Sequence, residues 1–539
     1  MSNIVFGIDL GTTTSAISYV NDLNIAETID NMEGRPITPS VVYFEDAETF
    51  VVGEQAKSGA AVYPDQTVSL IKREMGLSGP SVVREFFGTA YTPEMISALI
   101  LKDLVTNARD MLGTDSNRAV ITVPAYFGLT EKQATKTAGE IAGLDVIDII
   151  AEPVAAAISE GFDFTKDETA FIYDLGGGTF DCTVIEYTAA GGLRVIAVDG
   201  DRRLGGADWD EALYHLVLGK FTEVAGLDED PEDDPVFVQD LRNSVETAKQ
   251  SLTLKNKVKV KCAYGSRIEM IEVTLEEFDA CTRFLLDKTL DVVDRTLELA
   301  STNEPGHHID KYLLVGGSSR MKQVESALSA RYGWTLEKTH FDRAVSNGAA
   351  LVAQGMVNLP PIGVTGGGPA SDNAGPEVNQ VVQPGATDDR TMSITNLLSK
   401  AVGVRLIDPE SNTPYISHLL HQNEVLPAEH TTTVKTLSDG AVQVSIRLYE
   451  QAGEAPSPEV EANREITPDS GAVFTDLPNL PAGSPLTITM RVDASGLLHF
   501  SGHEPSTDQT LNLSVGVATM QQEEVAAAKE VIEGLTAAD

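Results

Sequence analysis

Cysteine, basic residues and long apolar runs are all scarce in this chain, and each shortage removes a class of protein. The three cysteines, Cys182, Cys262 and Cys281, stand apart without CxxC spacing. So odd and scattered a set fits reduced, packed thiols in a cytoplasmic protein and excludes a disulfide framework. Basic residues number 39 against 80 acidic ones, for a net charge of −41. Such a surface repels phosphate backbones and anionic bilayers, which argues against nucleic-acid or membrane binding and reads as a solubility device. No apolar stretch approaches the ~18 residues of a membrane span, and residues 1–5 enter a strand pattern without a basic leader. His307 and His308 are adjacent but have no further ligand pattern, so they read as loop residues, not a metal site.

Two phosphate-binding signatures are also missing. There is no GxxxxGK[ST] loop and no GxGxxG after a strand, so phosphate must be held in another way. The rest is ordinary globular material, 42% hydrophobic and 22% charged. Its length implies three or four domains at roughly 100–200 residues each.

An internal echo supplies the first positive signal. VFGIDLGTTTSAISYV at 5–20 is answered by FIYDLGGGTFDCTVIEY at 171–187. In each, an apolar strand closes on Asp, turns through Gly and Thr, and resumes as a second strand, which predicts two hairpins and two related lobes. Helical periods at 93–112, 130–142, 208–225, 235–252 and 275–300 alternate with short strands such as 119–123 and 311–315, the mixture of an α/β fold. The division expected is lobe I at 1–167 and lobe II at 168–355, then a flexible Gly/Pro-rich linker at 356–391. Strict alternation follows, as in Val442, Val444, Ile446 and Leu448, in Leu486, Ile488, Met490 and Val492, and in Leu511, Leu513, Val515 and Val517. It predicts a small all-β domain at 392–518, and a last short helix at 519–539 presents Val525, Ala528, Ile532 and Leu535 on one side.

Gly and Thr turns can aim successive amides and hydroxyls at phosphate oxygens, because Gly tolerates the backbone angles such a nest needs. Gly11, Thr12, Thr13 and Thr14 form one such turn, and Gly176, Gly177, Gly178 and Thr179 the other. Asp9 and Asp174, at the strand ends, would then face phosphate and need a cation between, with Mg²⁺ held through water the natural choice. LLVGGSSR at 313–320 joins a strand to a helix and brings Gly316, Gly317, Ser318 and Arg320 toward a nucleoside.

At these residues the chain resembles the DnaK family, the seventy-kilodalton heat-shock chaperones, whose ATPase shares the actin and sugar-kinase fold. The resemblance is close over 4–355 and looser over 394–517, and rests on GIDLGTTTS, AVITVPAYF, IIAEPVAAAISEG, YDLGGGTFD, LGGADWD and LLVGGSSRM. It implies a two-lobed actin-like (ribonuclease-H-like) α/β ATPase followed by a β-sandwich, using ATP and Mg²⁺. It matches Lys72, in LIKREMG, to the catalytic lysine that stabilises charge on the γ-phosphate. Glu152 and Asp174 would orient water and the metal's shell, Thr179 would contact the γ-phosphate or the attacking water, Asp181 would support the cluster, and Asp9 would lie opposite. Gly205, Gly206, Glu246, Lys249, Gly317, Ser318, Arg320 and Asp342 match positions around adenosine, with Gln250 where some members carry Arg. Pro124 matches a proline that relays nucleotide state, and its partner arginine is here Lys132. Val404, Ile407, Val442 and Val444 match strands and loops that embrace an extended peptide, with core packing an equal reading.

Three departures from the family are visible. The short leucine-rich connector is replaced by the long Gly/Pro segment, leaving 394–398 as the apolar piece able to dock. The helical lid is absent, so fast peptide release is expected. Asp148 stands where bacterial members carry an Arg that meets a J-domain partner, so ordinary J-domain stimulation is not expected. The reading is an ATP-hydrolysing chaperone whose β domain takes unfolded or extended peptide, compatible with a nucleotide-exchange factor. The alternatives are a nucleotide-gated protein with one dedicated client, and a small-molecule kinase of the same superfamily.

Overall fold

The two DLGxxT segments fold as hairpins because each apolar run is buried on both faces of its sheet, with Phe171 and Tyr173 in one core and Ala170 and Ile172 in another, and is broken by a polar Gly-Thr turn. The computed structural model describes residues 4–357, 379–382, 391–515 and 520–538, except 164, 189–191, 228–229, 409, 454, 468–471, 475–476, 478, 495, 497, 506–507 and 521. In the first hairpin Phe6–Asp9 runs antiparallel to Thr14–Val20, with Asp9 opposite Ala16. Arg118–Val123 lies parallel beside Phe6–Asp9, and Asp145–Ala151 beside that. In the second, Glu168–Leu175 pairs with Phe180–Thr188, with Asp174 opposite Asp181, and Lys311–Val315 lies parallel on the other side. The same local order recurs, so both Gly-Thr turns emerge at equivalent ends of their sheets.

Helices cover the sheets where the sequence supplies caps. Pro93–Leu112 starts at Thr92, whose hydroxyl accepts from the Met95 amide, takes Pro93 in its first turn, and stops at Gly113 with φ 61°. Leu129–Ile141 packs beside it over the first sheet. Gly206–Ala225, Pro235–Leu252 and Leu275–Asn303 enclose a core around Trp209, Phe221 and Phe278. Ala344–Val357 crosses back to lobe I so closely that a Cβ on Gly7 would lie 2.1 Å from the Ala350 nitrogen.

Part of the span expected to be a flexible linker is strand. Asn379–Val382 pairs with Thr391–Thr395, which extends the lobe II sheet parallel to Gly192–Asp201, with Ile394 opposite Leu193. The remainder, 358–378 and 383–390, lies outside the described residues.

Two four-stranded sheets follow. One joins Val402–Ile407, Pro414–Leu420, Leu448–Gln451 and Asn463–Glu465, the other Ala428–Lys435, Pro485–Val492, Leu498–Glu504 and Gln509–Val515. Leu486, Ile488, Met490 and Val492 fill the space between them, as their alternation predicts. The run 442–448 is broken: Val444–Ile446 pairs with Ala472–Phe474, while Leu448–Gln451 belongs to the first sheet. Val517 lies outside the described residues. The last helix, Gln522–Gly534, lies on lobe I, with Ala528 and Ile532 in its core. Among the described residues no helix is long and apolar enough to cross a membrane.

Candidate active site between the lobes

Strand register brings Asp9 and Asp174 to one cavity of about 520 Å³, lined also by Gly11 to Thr14, Lys72, Glu152, Gly176, Gly177 and Thr179. The two turns touch. A Cβ on Gly177 would fall 1.9 Å from Thr13 Oγ1, and one on Gly178 2.1 Å from Thr12 Cγ2. On Gly11 it would fall 2.0 Å from the Thr14 carbonyl oxygen. Side chains are therefore sterically excluded at these positions, and backbone forms the wall there. The Gly206 and Ala207 amides donate to the carbonyls of Gly176 and Gly177 at 3.0 and 2.7 Å, tying the following helix to the second turn.

The electrostatics are lopsided. Lys72, in the short turn Ile71–Glu74, forms a buried ion pair with Glu152, and the Phe127 ring lies 5.9 Å from its ammonium. Around this cation stand three further carboxylates. Burial and the neighbouring Glu152 push Asp9 up to about 7, against the pull of Lys72 and a 3.4 Å hydrogen bond from Thr122. Burial, with Glu152 and Asp9, holds Asp174 well above the carboxylate range. Burial, with Glu152 and Asp174, does the same to Asp181. The Tyr126 amide donates to Asp181 Oδ1 at 3.3 Å, and Oδ2 is buried with no partner among the described residues. Four carboxylates around one ammonium lack positive charge, which a divalent cation would supply. Among the described residues no three potential ligands converge to grip a metal directly. The donors thus suit Mg²⁺ held through water and phosphate oxygens.

At the other end of the cavity, Lys249 donates to the Gly206 carbonyl at 2.8 Å and to Asp210 at 2.6 Å. Glu246 is bridged at 2.7 Å by Lys57, which reaches over from lobe I. Gln250 donates to Glu246 at 3.3 Å. Arg320 pairs with Asp342 at 2.7 Å and lies 5.0 Å from the centre of the Phe341 ring. Gly317 and Ser318 line the same end, and a Cβ on Gly206 would meet Ser318 Oγ at 2.2 Å. Gly205 and Gly316 are equally confined, against the Gly178 backbone and the Asp174 carboxylate, each at 2.4 Å.

Sequence reasoning missed Arg73, Lys57, Asp210 and Phe341. Arg73 donates to the Gly178 carbonyl at 2.8 Å and pairs with Asp208, so it holds the second turn from the opposite lobe. A lone Arg or Lys in a charged stretch carries no signal of such a cross-lobe contact. Asp210 lay inside the LGGADWD string, and Phe341 beside Asp342, where neighbourhood was the available clue.

Pro124 opens a segment that touches both the carboxylate cluster and the β domain. Tyr126 reaches Asp181, while the Phe127 carbonyl accepts from Ser399 at 2.7 Å. Glu450 of the β domain accepts from the Leu129 amide at 2.6 Å and the Thr130 hydroxyl at 3.0 Å, capping the helix Leu129–Ile141. Burial would raise the buried Glu131 carboxyl, but Lys400, Arg464 and Arg202 outweigh it and hold the group at about 2. Burial lowers Lys132, countered by Glu450, Asp148 and Glu131. Burial pushes Asp148 up to about 6, with Lys136 and Lys132 opposing and Asp493 of the β domain adding to it.

The four apolar β-domain candidates do not share one environment. Val404 is core, because alternation along Val402–Ile407 turns it inward. Ile407 and Val442 are 36% and 56% exposed, and Val444 is half-buried. Leu437, passed over in the sequence, is 71% exposed.

The family profile described as Hsp70 protein matches residues 5–360. The chaperone protein DnaK of Halobacterium salinarum is 33% identical over 533 residues, 97% of this chain and 77% of that protein. That of Thermotoga petrophila is 32% identical over 510 residues, 93% of this chain and 78% of that protein. With a two-lobed α/β cleft and a β-sandwich after it, the chain belongs to the Hsp70 family of ATP-dependent chaperones, which are ATPases that work with Mg²⁺.

Proposed function

We propose that residues 1–355 bind and hydrolyse ATP in the cleft, and that the β domain, 392–518, takes extended segments of unfolded protein under nucleotide control. Lys72 stabilises the charge that develops on the γ-phosphate as water attacks. Glu152 orients Lys72 and the attacking water, Asp181 supports them, and Thr179 contacts the γ-phosphate. Asp9 and Asp174 would hold Mg²⁺, which would neutralise phosphate charge. The amides of Gly11 to Thr14 and of Gly176 to Gly178 cradle the phosphates. Gly205, Gly206, Glu246, Lys249, Gly316, Gly317, Ser318, Arg320 and Asp342 enclose the nucleoside. Ile407, Val442 and Val444 are the apolar side chains that meet peptide, and Pro124 and Lys132 couple them to the cleft.

The observation that carries this reading is the surplus of buried carboxylates beside two interlocked Gly-Thr turns. A cytoplasmic setting and a nucleotide-exchange factor fit it, while the reversed charge at Asp148 favours weak J-domain stimulation. ATP turnover of the purified chain, with and without a library of extended apolar peptides, tests it. A rise with peptide is expected; turnover indifferent to every peptide would leave an ATPase but remove the gating.

A further inference from the structure

The short turn that carries Lys72 begins with strained backbone. Leu70, just before Ile71–Glu74, has φ 59° and ψ 20°, a left-handed conformation in which its Cβ crowds the chain. The turn's own bonds are few: the Arg73 amide donates to the Leu70 carbonyl at 3.0 Å and the Met75 amide to the Lys72 carbonyl at 3.3 Å. Strain of this kind persists where the surroundings over-determine the backbone. Here the other lobe does so. Arg202, which follows the lobe II strand Gly192–Asp201, donates through Nη2 to the Arg73 carbonyl at 2.9 Å and to the Met75 carbonyl at 3.2 Å. Its Nη1 donates to Glu131 Oε1 at 3.3 Å. In the reverse direction Arg73 Nε donates to the Gly178 carbonyl, and the same guanidinium pairs with Asp208. Asp208 also accepts from the Gly205 amide at 2.8 Å, at the start of the helix Gly206–Ala225. Two arginines thus cross the cleft in opposite directions, and both act on the turn that presents Lys72.

We infer that Arg202 is a positioning residue for ATP hydrolysis: from lobe II it fixes the lobe I turn, and through it the place of the Lys72 ammonium at the phosphates. Lys72 and Glu152 line the nucleotide cavity, and Arg202 does not. Arg202 therefore acts on the reaction through the lysine and not by touching nucleotide. The ion pair with Glu152 holds the far end of the Lys72 side chain, and Arg202 holds its backbone end. A planar guanidinium reaches two carbonyls and a carboxylate at once, which the compact ammonium of a lysine does not reproduce. Displacing a reacting group by about 1 Å costs on the order of a hundred-fold in rate, so a modest relaxation of the turn is enough to slow hydrolysis. The kinetic part of this inference rests on the ATPase reading above; the hold on the turn does not.

Single-turnover hydrolysis by the full chain at saturating Mg²⁺ and ATP, set beside ATP affinity from calorimetry, tests the inference. Arg202→Met keeps much of the side chain's length and removes its donors. Its rate should fall by roughly ten-fold or more while the Kd for ATP changes by less than about three-fold, the signature of an interaction that serves the transition state and not binding. Arg202→Lys should recover part of the rate, and it carries the same comparison if Arg202→Met does not fold. In a Lys72→Ala background, Arg202→Met should lower the residual rate no further, because the two residues act as one unit. Amide hydrogen exchange gives a readout that needs no hydrolysis: the Arg73 and Met75 amides should exchange faster in Arg202→Met, with core amides of Glu168–Leu175 unchanged. A variant that hydrolyses like the unaltered chain overturns the inference, as does one whose rate falls only in step with ATP affinity, or a further loss in the Lys72→Ala background. If the unaltered chain hydrolyses no ATP, the ATPase reading fails and takes the kinetic part with it. Exchange at Arg73 and Met75 then still decides the hold on the turn, which unchanged protection in Arg202→Met would refute.

Discussion

Gly177 has no room for a methyl group, and this sets the sharpest expectation for a single residue. Its Cβ would fall 1.9 Å from Thr13 Oγ1, so Gly177→Ala must push the two turns apart. Adenine-nucleotide affinity should fall at least ten-fold in calorimetry while the melting temperature changes little, because the clash lies at an open cleft and not in a core. Asp9 gives a pH-dependent expectation. Its folded value of about 7 lies above the ordinary carboxylate value of 3.8, so the native site binds more protons between them and its stability declines as pH rises through that window. A bound divalent cation favours the charged form and reverses the preference. Binding of Mg²⁺ and ADP at pH 6.5 to 7 should release protons and strengthen as pH rises. Titration in buffers of different ionisation enthalpy detects this, and equal apparent enthalpies in all buffers would contradict it.

Among the elements, helices were legible to within a few residues because they carry punctuation. Pro93–Leu112 has its Thr cap, its proline and its glycine in the sequence, and Pro235–Leu252 has Asp234. The hairpins were legible by repetition. What escaped notice depends on partners distant in sequence. The run 442–448 alternates like one strand, but its halves find different neighbours. Asn379–Val382 and Thr536–Ala537 are short, and only an edge of another sheet makes them strands. The carboxylates that line the cavity between the lobes were singled out through motifs, whereas Arg464 was not. It donates to Glu131 at 3.1 Å, to Glu450 at 2.7 Å and to the Gly76 carbonyl at 3.2 Å, joining lobe I to the β domain. Arg464→Ala leaves two buried carboxylates short of a cation, a loss of about 3–5 kcal/mol for a buried pair. Scanning calorimetry should show the β domain melting earlier and apart from lobe I; a single unchanged transition would assign the network no part in docking.

For the molecule as a whole, the claim is that two related lobes close a carboxylate-rich cavity around Mg²⁺ and ATP, and that Lys72 is the charge the reaction cannot do without. Chain composition bounded this picture through the −41 net charge, which leaves small polyanions to be bound by local design and not by overall attraction. The lobes' relation was visible in the sequence, but their interlocking turns and the seat of the last helix on lobe I were not, since both arise from approach of distant backbone. A single-turnover assay with ATP labelled at the γ-phosphate, comparing the unaltered chain with Lys72→Ala, reaches the claim most directly. The unaltered chain should release labelled inorganic phosphate, and the variant should keep intact ATP bound while hydrolysing it at least 100-fold more slowly. Equal rates in the two proteins, or no ATP retained by either, would contradict it.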